Sequence, residues 1–331
     1  MDTATHFAFG FGLAGLSQLD PVVSADPWIS TAVLIGTVAG SQAPDADTLM
    51  RFRGNAAYIR HHRGLSHSVP AWFLWTGLIS VLLWLIFPEV PFQTLAMWIF
   101  IAVIVHVGTD LFNSYGTQAF RPFHSKWVAW NIIHIFDPFL FGAHLAAIAL
   151  WVVGAASPGF IFPTLYAVLA LYYVLRTYRH YRAERMLPRL DPAYANGDRY
   201  TALPSVRAHV WNVVKRRGSG AFVVGELRSG KLKWQTSLEP DRHPAVQASR
   251  NHPDVRTFLS FTSYACPKVD IHQDGFTVRW IDARYMYRKQ FPFLAVVRMD
   301  KQLHPITSYI GWISEDKLER RLNGSEPVRA T

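Results

Sequence analysis

The chain has 331 residues, of which 50% are hydrophobic and only 17% charged, with a formal net charge of +10. That length exceeds one small domain and that apolar share exceeds what a soluble globular protein carries, so a membrane part and a soluble part are expected. The single cysteine, Cys266, excludes an internal disulfide and a thiolate-rich zinc site, which leaves His nitrogen and carboxylate oxygen as metal donors.

From the N-terminus, residues 1–6 carry no basic region and no small-residue cleavage site, so the apolar run 7–19 reads as retained rather than as a cleaved signal. It is short for a membrane span, as is 28–41. Both are rich in Gly, Ala and Ser, which suits close helix packing in a tight hairpin or re-entrant pair. Clearer spans are 69–87, 92–112, 139–155 and 160–175, separated by Pro88, Pro91, Pro158 and Gly159. The expectation is a membrane α-helical bundle of four to six hydrophobic helices.

The polar residues among these runs are unusual in kind. Pro44 opens a turn holding Asp45 and Asp47, two carboxylates that would repel each other unless a cation neutralised them; a plain helix cap is the alternative. His62 and His67 follow, with Gly64 permitting a turn between them and Ser68 before Pro70 reading as the N-cap of the next span. That helix start, with Arg60 and Arg63 nearby, favours an anion such as a phosphate or phosphoester. His61 is expected at the surface or in a supporting role, because adjacent residues rarely aim at one metal. His106 and Asp110 lie four apart in an apolar helix and project from one face, where both can touch one ion; a buried ion pair holding helices together is the alternative. Asn113, Tyr115 and Asp137, in polar turns after this helix, are supporting or substrate-binding candidates against plain turn and cap roles.

Beyond residue 190 the pattern changes. Short β-branched or aromatic runs at 207–215, 221–227, 232–236, 257–263, 276–281 and 293–298 predict a soluble, mainly antiparallel β (α+β) domain. Hairpin turns are predicted at 228–231 and 273–275 and a short helix at 314–322. The expected layout is a helical membrane domain over 1–185, a linker over 186–206 and the β domain over 207–331.

Charge is uneven. Residues 1–175 hold 6 Lys/Arg against 8 Asp/Glu, and 176–331 hold 27 against 15. Without an RNA or DNA motif, anionic lipid headgroups explain the basic half better than nucleic acid does. Arginines at 51–63 and 176–189, and none in the turns at 88–91 and 155–160, place those basic connections and the C-terminal domain on the cytoplasmic side. If 7–19 and 28–41 both cross, His6, Asp45, Asp47, His62, His67 and the His106/Asp110 helix end reach that same face.

Residues 1–6, 40–47, 62–68, 106–117 and 135–138 together resemble the YdjM/YfhP-type inner-membrane metal-dependent hydrolases, over about residues 1–185, and the soluble part resembles the members with a C-terminal extension. That family is distantly similar to zinc-dependent phospholipase C and P1-type nucleases. The resemblance implies that His6, Asp45, Asp47, His62, His67, His106 and Asp110 hold a divalent metal, Zn first with Mn or Mg as alternatives. Ser66 stands where the motif commonly has Thr. Seven donors exceed what one four-coordinate zinc needs, so two or more ions are expected. Asp47, Arg63 and Asn113 are the residues expected to act on substrate, a phospholipid-like or other amphiphilic phosphoester. A metal-binding membrane regulator and an ion transporter are the competing readings.

Overall fold

The computed structural model describes residues 1–322; the end of the expected C-terminal domain, 323–331, lies outside the described residues. The chain divides into two compact units, one comprising 1–47, 62–181 and 204–207, the other 48–61, 182–203 and the residues from 208 onward.

Aspartates set the helix starts of the first unit. Helix α1 (Thr3–Leu16) begins where the Asp2 carboxylate accepts from the Thr5 amide. Helices α2 (Pro21–Ala25) and α3 (Pro27–Gln42) begin at Asp20-Pro21 and Asp26-Pro27, with aspartate as the cap and proline in the first turn. The backbone then winds through 3-10 turns over Ala43–Arg53, the short helix α4 (Asn55–His61) and a single 3-10 turn at Leu65–His67. Four helices follow: α5 (Val69–Ile86), α6 (Phe92–Leu111), α7 (Pro138–Val152, capped by Asp137) and α8 (Pro158–Leu190).

Among the described residues three helices, α5, α6 and α8, are long and apolar enough to cross a membrane. This corrects the expected four to six. Helix α1 stops at 14 residues and α3 at 16, and α7 has 15 because Gly154, at φ +67°, ends it. The small residues expected in the first two runs do bring helices together. A Cβ on Gly10 would lie 2.6 Å from Ser41 Oγ and 2.9 Å from Val38 Cα, and one on Gly40 would lie 3.0 Å from the Ile99 carbonyl. Helices α1 and α3, and α3 and α6, therefore pack at backbone distance.

The second unit holds two four-stranded sheets. The first, in order β1 (Arg199–Pro204), β2 (Val210–Arg216), β3 (Phe222–Arg228), β4 (Lys231–Leu238), buries Trp211, Val213 and Leu227 against Ala183 and Leu187 from the end of α8. Helices α9 (Pro244–Arg250) and α10 (Pro253–Phe261) precede the second sheet, β5 (Ala265–His272), β6 (Gly275–Asp282), β7 (Phe293–Asp300), β8 (Pro305–Trp312), which pairs antiparallel throughout; α11 (Glu315–Leu322) is the last described element.

The β3–β4 turn falls at the predicted place, with Ser229 at φ +49° and Gly230 at φ +78°. The expected strand at 257–263 is instead helical through α10. His252 caps that helix, Pro253 fills its first turn, and Val255, Phe258 and Phe261 are buried three apart on one side. Strand β1 and the end of α8 occupy 186–206. Helix α4 packs on α10 and β8, and Arg60 Nη2 donates to Thr257 Oγ1 at 3.0 Å. Residues 48–61, which lie between two expected metal ligands, thus belong to the unit of sheets.

Candidate metal centre

Four pieces of chain in the helical unit carry the site: the first turns of α1, the turn after α3, the 62–68 loop and the last turns of α6. The close packing around Gly10 and Gly40 seats the Ser41 carbonyl beside α6, where His106 Nδ1 donates to it at 2.6 Å. A carbonyl can only accept, so this bond fixes the proton on Nδ1 and turns the bare Nε2 of His106 inward.

A second tie does the same for His67. Ser66 Oγ donates to Asp47 Oδ2, which uses its one proton, so at 2.9 Å it accepts from His67 Nδ1. Trp72 Nε1 and Trp75 Nε1, both from α5, donate to the carbonyls of His67 and Ser66 at 2.8 and 3.0 Å and hold this turn. Burial, with His106 and Arg63 nearby, keeps His67 well below the usual imidazole pKa, and its Nε2 is bare as well.

The result is a convergence of acceptors. His67 Nε2 and His106 Nε2 face each other at 3.3 Å. Asp110 Oδ2 lies 3.2 and 3.6 Å from them, and Asp45 Oδ1 3.6 and 3.7 Å. Asp45 Oδ1 is buried without a hydrogen-bond partner. Burial alone would raise the Asp45 pKa, but the His106 ring, Arg63 and His67 outweigh it and hold the carboxyl well below the usual range. Asp110 keeps Oδ2 for the imidazoles because its Oδ1 takes the donors: Asn113 Nδ2 at 3.1 Å, Arg63 Nη2 at 3.1 Å and the Met1 amine.

These separations suit a small divalent ion. Donor atoms at the corners of a tetrahedron, each about 2.1 Å from a central zinc, are about 3.4 Å apart. All four atoms lie within 4.8 Å of one another, and Asp45, Asp47 and His62 form a second such group that shares Asp45.

Asp47 and His62 are joined by a 2.7 Å hydrogen bond between Oδ1 and Nδ1, and Asp47 Oδ2 also accepts from the Arg63 amide at 2.8 Å. His6 is buried beside the first group and outside both: it stacks on His106 at 3.7 Å, with Nε2 3.4 Å from Asp110 Oδ1 and 3.0 Å from the Met1 amine. Arg63 is 4% exposed, and its Nε and Nη1 have no partner. Asn113 faces inward, donating to Asp110 while its oxygen accepts from the Tyr115 and Gly116 amides. Tyr115 lies against His62 and under the Arg63 guanidinium. Asp137 is the α7 cap and accepts from Tyr172, and His61 is exposed.

Sequence reasoning missed the Ser41 carbonyl and the part played by Ser66. The first had no sequence signal, because any residue has a carbonyl. The second could have been found from a hydroxyl directly before a ligand histidine.

Comparison with known proteins agrees with this architecture. Residues 1–183 match the family YdjM inner membrane protein, and residues 244–322 match the YfhP C-terminal alpha/beta plait domain. A relative from Bacillus subtilis (strain 168), named Uncharacterized protein YfhP, is 40% identical over 326 residues, covering 97% of this chain and 98% of its own. No solved structure matches. With its helical unit, its sheets and this near full-length relative, the chain belongs to the YdjM/YfhP family of inner membrane proteins.

Proposed function

We propose that this protein is a multi-pass, membrane-embedded, metal-dependent hydrolase that cleaves a phosphoester of an amphiphilic, phospholipid-like substrate at the cytoplasmic membrane face. The observation that carries the reading is the meeting of His67 Nε2, His106 Nε2, Asp45 Oδ1 and Asp110 Oδ2, acceptors whose mutual repulsion a divalent cation relieves. Zinc suits the donor set and spacing, with Mn or Mg as alternatives, and the shared Asp45 accommodates a second ion.

When bound, such an ion supplies Lewis acidity and makes water a nucleophile near neutral pH. The protein's own groups do the rest. Ser41 and Ser66 hold the imidazoles in the ligating tautomer, and Asn113 and Arg63 orient Asp110. The unpartnered Nε and Nη1 of Arg63 are donors suited to phosphoryl oxygens as charge builds there. Asp47 accepts from His62, the Arg63 amide and Ser66, so besides its place in the second group it holds these groups in position. The arginine-rich connections support a cytoplasmic side for the site and for the C-terminal domain. His106 and Asp110 sit in the last turns of α6 rather than mid-helix, which disfavours a transport path.

Purified protein in lipid nanodiscs, assayed on phosphatidylcholine and on bis(p-nitrophenyl) phosphate with added Zn or Mn, tests this. Metal-dependent cleavage that Asp45→Asn abolishes is expected. Metal binding without cleavage of either ester would leave a regulator, and zinc flux without cleavage would make it a transporter.

A further inference from the structure

The basic half of the chain concentrates charge at one end of the first sheet. Arg199 is the first residue of β1 and Arg216 the last of β2; β1 and β2 are neighbours. Arg217 follows in the turn to β3, closed by bonds from the Gly220 amide to the Arg217 carbonyl at 2.9 Å and from the Arg217 amide to the Ala221 carbonyl at 2.8 Å. The three arginines line a cavity of about 280 Å³ together with Gly197, Gly218 and Gly220. A Cβ at any of these glycines would meet nothing within 4 Å, so the backbone is open at the mouth.

The balance of charge there is one-sided. Arg199 and Arg216 have no carboxylate partner among the described residues, and Arg217 attracts Asp198 and pairs with Glu239 at 3.6 Å, the latter pair 42% and 61% exposed and screened by water. The nearest acids are spent elsewhere. Asp191 and Asp198 are both bonded by buried Lys215, at 2.6 and 2.9 Å, which also ties down the loop before Arg199 through the Ala193 carbonyl at 2.6 Å. Three arginines thus line one hollow whose edge is fixed from beneath, a concentration of like charge that an anion would offset.

We propose that this cleft is a phosphoryl-binding site, separate from the metal centre, which takes a phosphomonoester group by forked hydrogen bonds from Arg199 and Arg216, assisted by Arg217. Free phosphate compounds and lipid headgroups such as phosphatidate offer the same chemistry.

The full-length protein in nanodiscs, titrated with inorganic phosphate by calorimetry, tests the assignment. Expected is saturable binding that weakens at least about tenfold in Arg199→Gln/Arg216→Gln. It should survive in Asp45→Asn/His67→Ala, which removes the metal centre instead. Arg199→Lys/Arg216→Lys keeps the charge and loses the fork, so intermediate weakening is expected; an unchanged melting temperature in both arginine variants shows that folding is intact. Phosphate binding blocked in phosphatidate-containing nanodiscs but present in phosphatidylcholine ones identifies a headgroup as occupant, and binding equal in both identifies a free phosphate compound. Equal affinity in wild type and Arg199→Gln/Arg216→Gln, or loss only in Asp45→Asn/His67→Ala, overturns the site.

Discussion

His67 Nε2 and His106 Nε2 stand 3.3 Å apart, each on a ring whose Nδ1–H donates to an oxygen, Ser66 Oγ in one case and the Ser41 carbonyl in the other, which leaves the two Nε2 lone pairs facing each other. Two lone pairs at that distance, flanked by two carboxylates, repel one another, and a bound cation would relieve that repulsion.

Metal should therefore be a large part of this protein's stability. A ligand at a hundred times its dissociation constant adds about 2.7 kcal/mol. Stripping with chelator should lower the melting temperature, and restoring Zn should recover it. Asp45→Asn/His67→Ala should show neither change, and elemental analysis should find it without metal.

Ser66→Ala removes the acceptor for His67 Nδ1 and a donor to Asp47 while touching no proposed ion directly. Losing a partner of this kind typically costs 10- to 100-fold in metal affinity. Competition with a chromophoric chelator measures it, and Ser66→Thr, which keeps the hydroxyl, should bind as wild type does.

Arg63→Met should retain metal and lose turnover. Removing one donor to a developing oxyanion costs on the order of 10²–10³ in rate. Equal zinc content with cleavage lowered by that factor is expected, and unchanged cleavage would remove Arg63 from the chemistry.

Packing at Gly40 is as much part of the site as its ligands. Gly40→Val would press on the Ile99 carbonyl and displace Ser41, at about 1–3 kcal/mol. Thermal denaturation should show this cost together with weaker metal binding. Gly77→Ala in α5, where an added Cβ meets nothing within 4 Å, should be neutral or gain up to about 1 kcal/mol.

The buried Lys215 sets two pH limits in the second unit. Burial alone would raise Asp191, but bonds from Lys215, Tyr200, the Ala193 amide and Trp234 outweigh it and hold the carboxyl at about 2. Its folded pKa is depressed, so its contribution is complete above the ordinary 3.8 and is lost as pH falls toward about 2. Burial alone would lower Lys215, but Asp191 and Asp198 raise it above 10.5; its contribution is complete below that value and lost as pH rises through the folded pKa. Denaturant titrations from pH 2 to 11 should show the two edges. Lys215→Met, which strands two carboxylates, should cost about 3–5 kcal/mol at pH 7.

Side-chain chemistry was legible in the sequence, while packing and backbone roles were not. His106 and Asp110 announced themselves by sitting four apart in an apolar run, and the two Asp around Ala46 by their mutual repulsion. Nothing in residue type distinguished the carbonyl of Ser41 from any other, and its role appears only once Gly10 and Gly40 draw three helices together. Residues 257–263 misled because Thr and Phe favour strands on composition; the burial of Val255, Phe258 and Phe261 every third residue shows the helix. Trp72 and Trp75 looked like ordinary residues of an apolar span, and only the structure shows their indoles holding the ligand turn.

Residues 48–61 leave the helical unit at Asp47 and return at His62, and a hydrogen bond clasps those two residues together. The excursion is thus a stitched tether with its knot beside the candidate metal centre. Because α4 packs on α10 and β8, lengthening the tether disturbs that packing in addition to the loop entropy of about 0.6 kcal/mol per doubling. Length is therefore best added in the turns outside α4, where the knot and the packing are both kept.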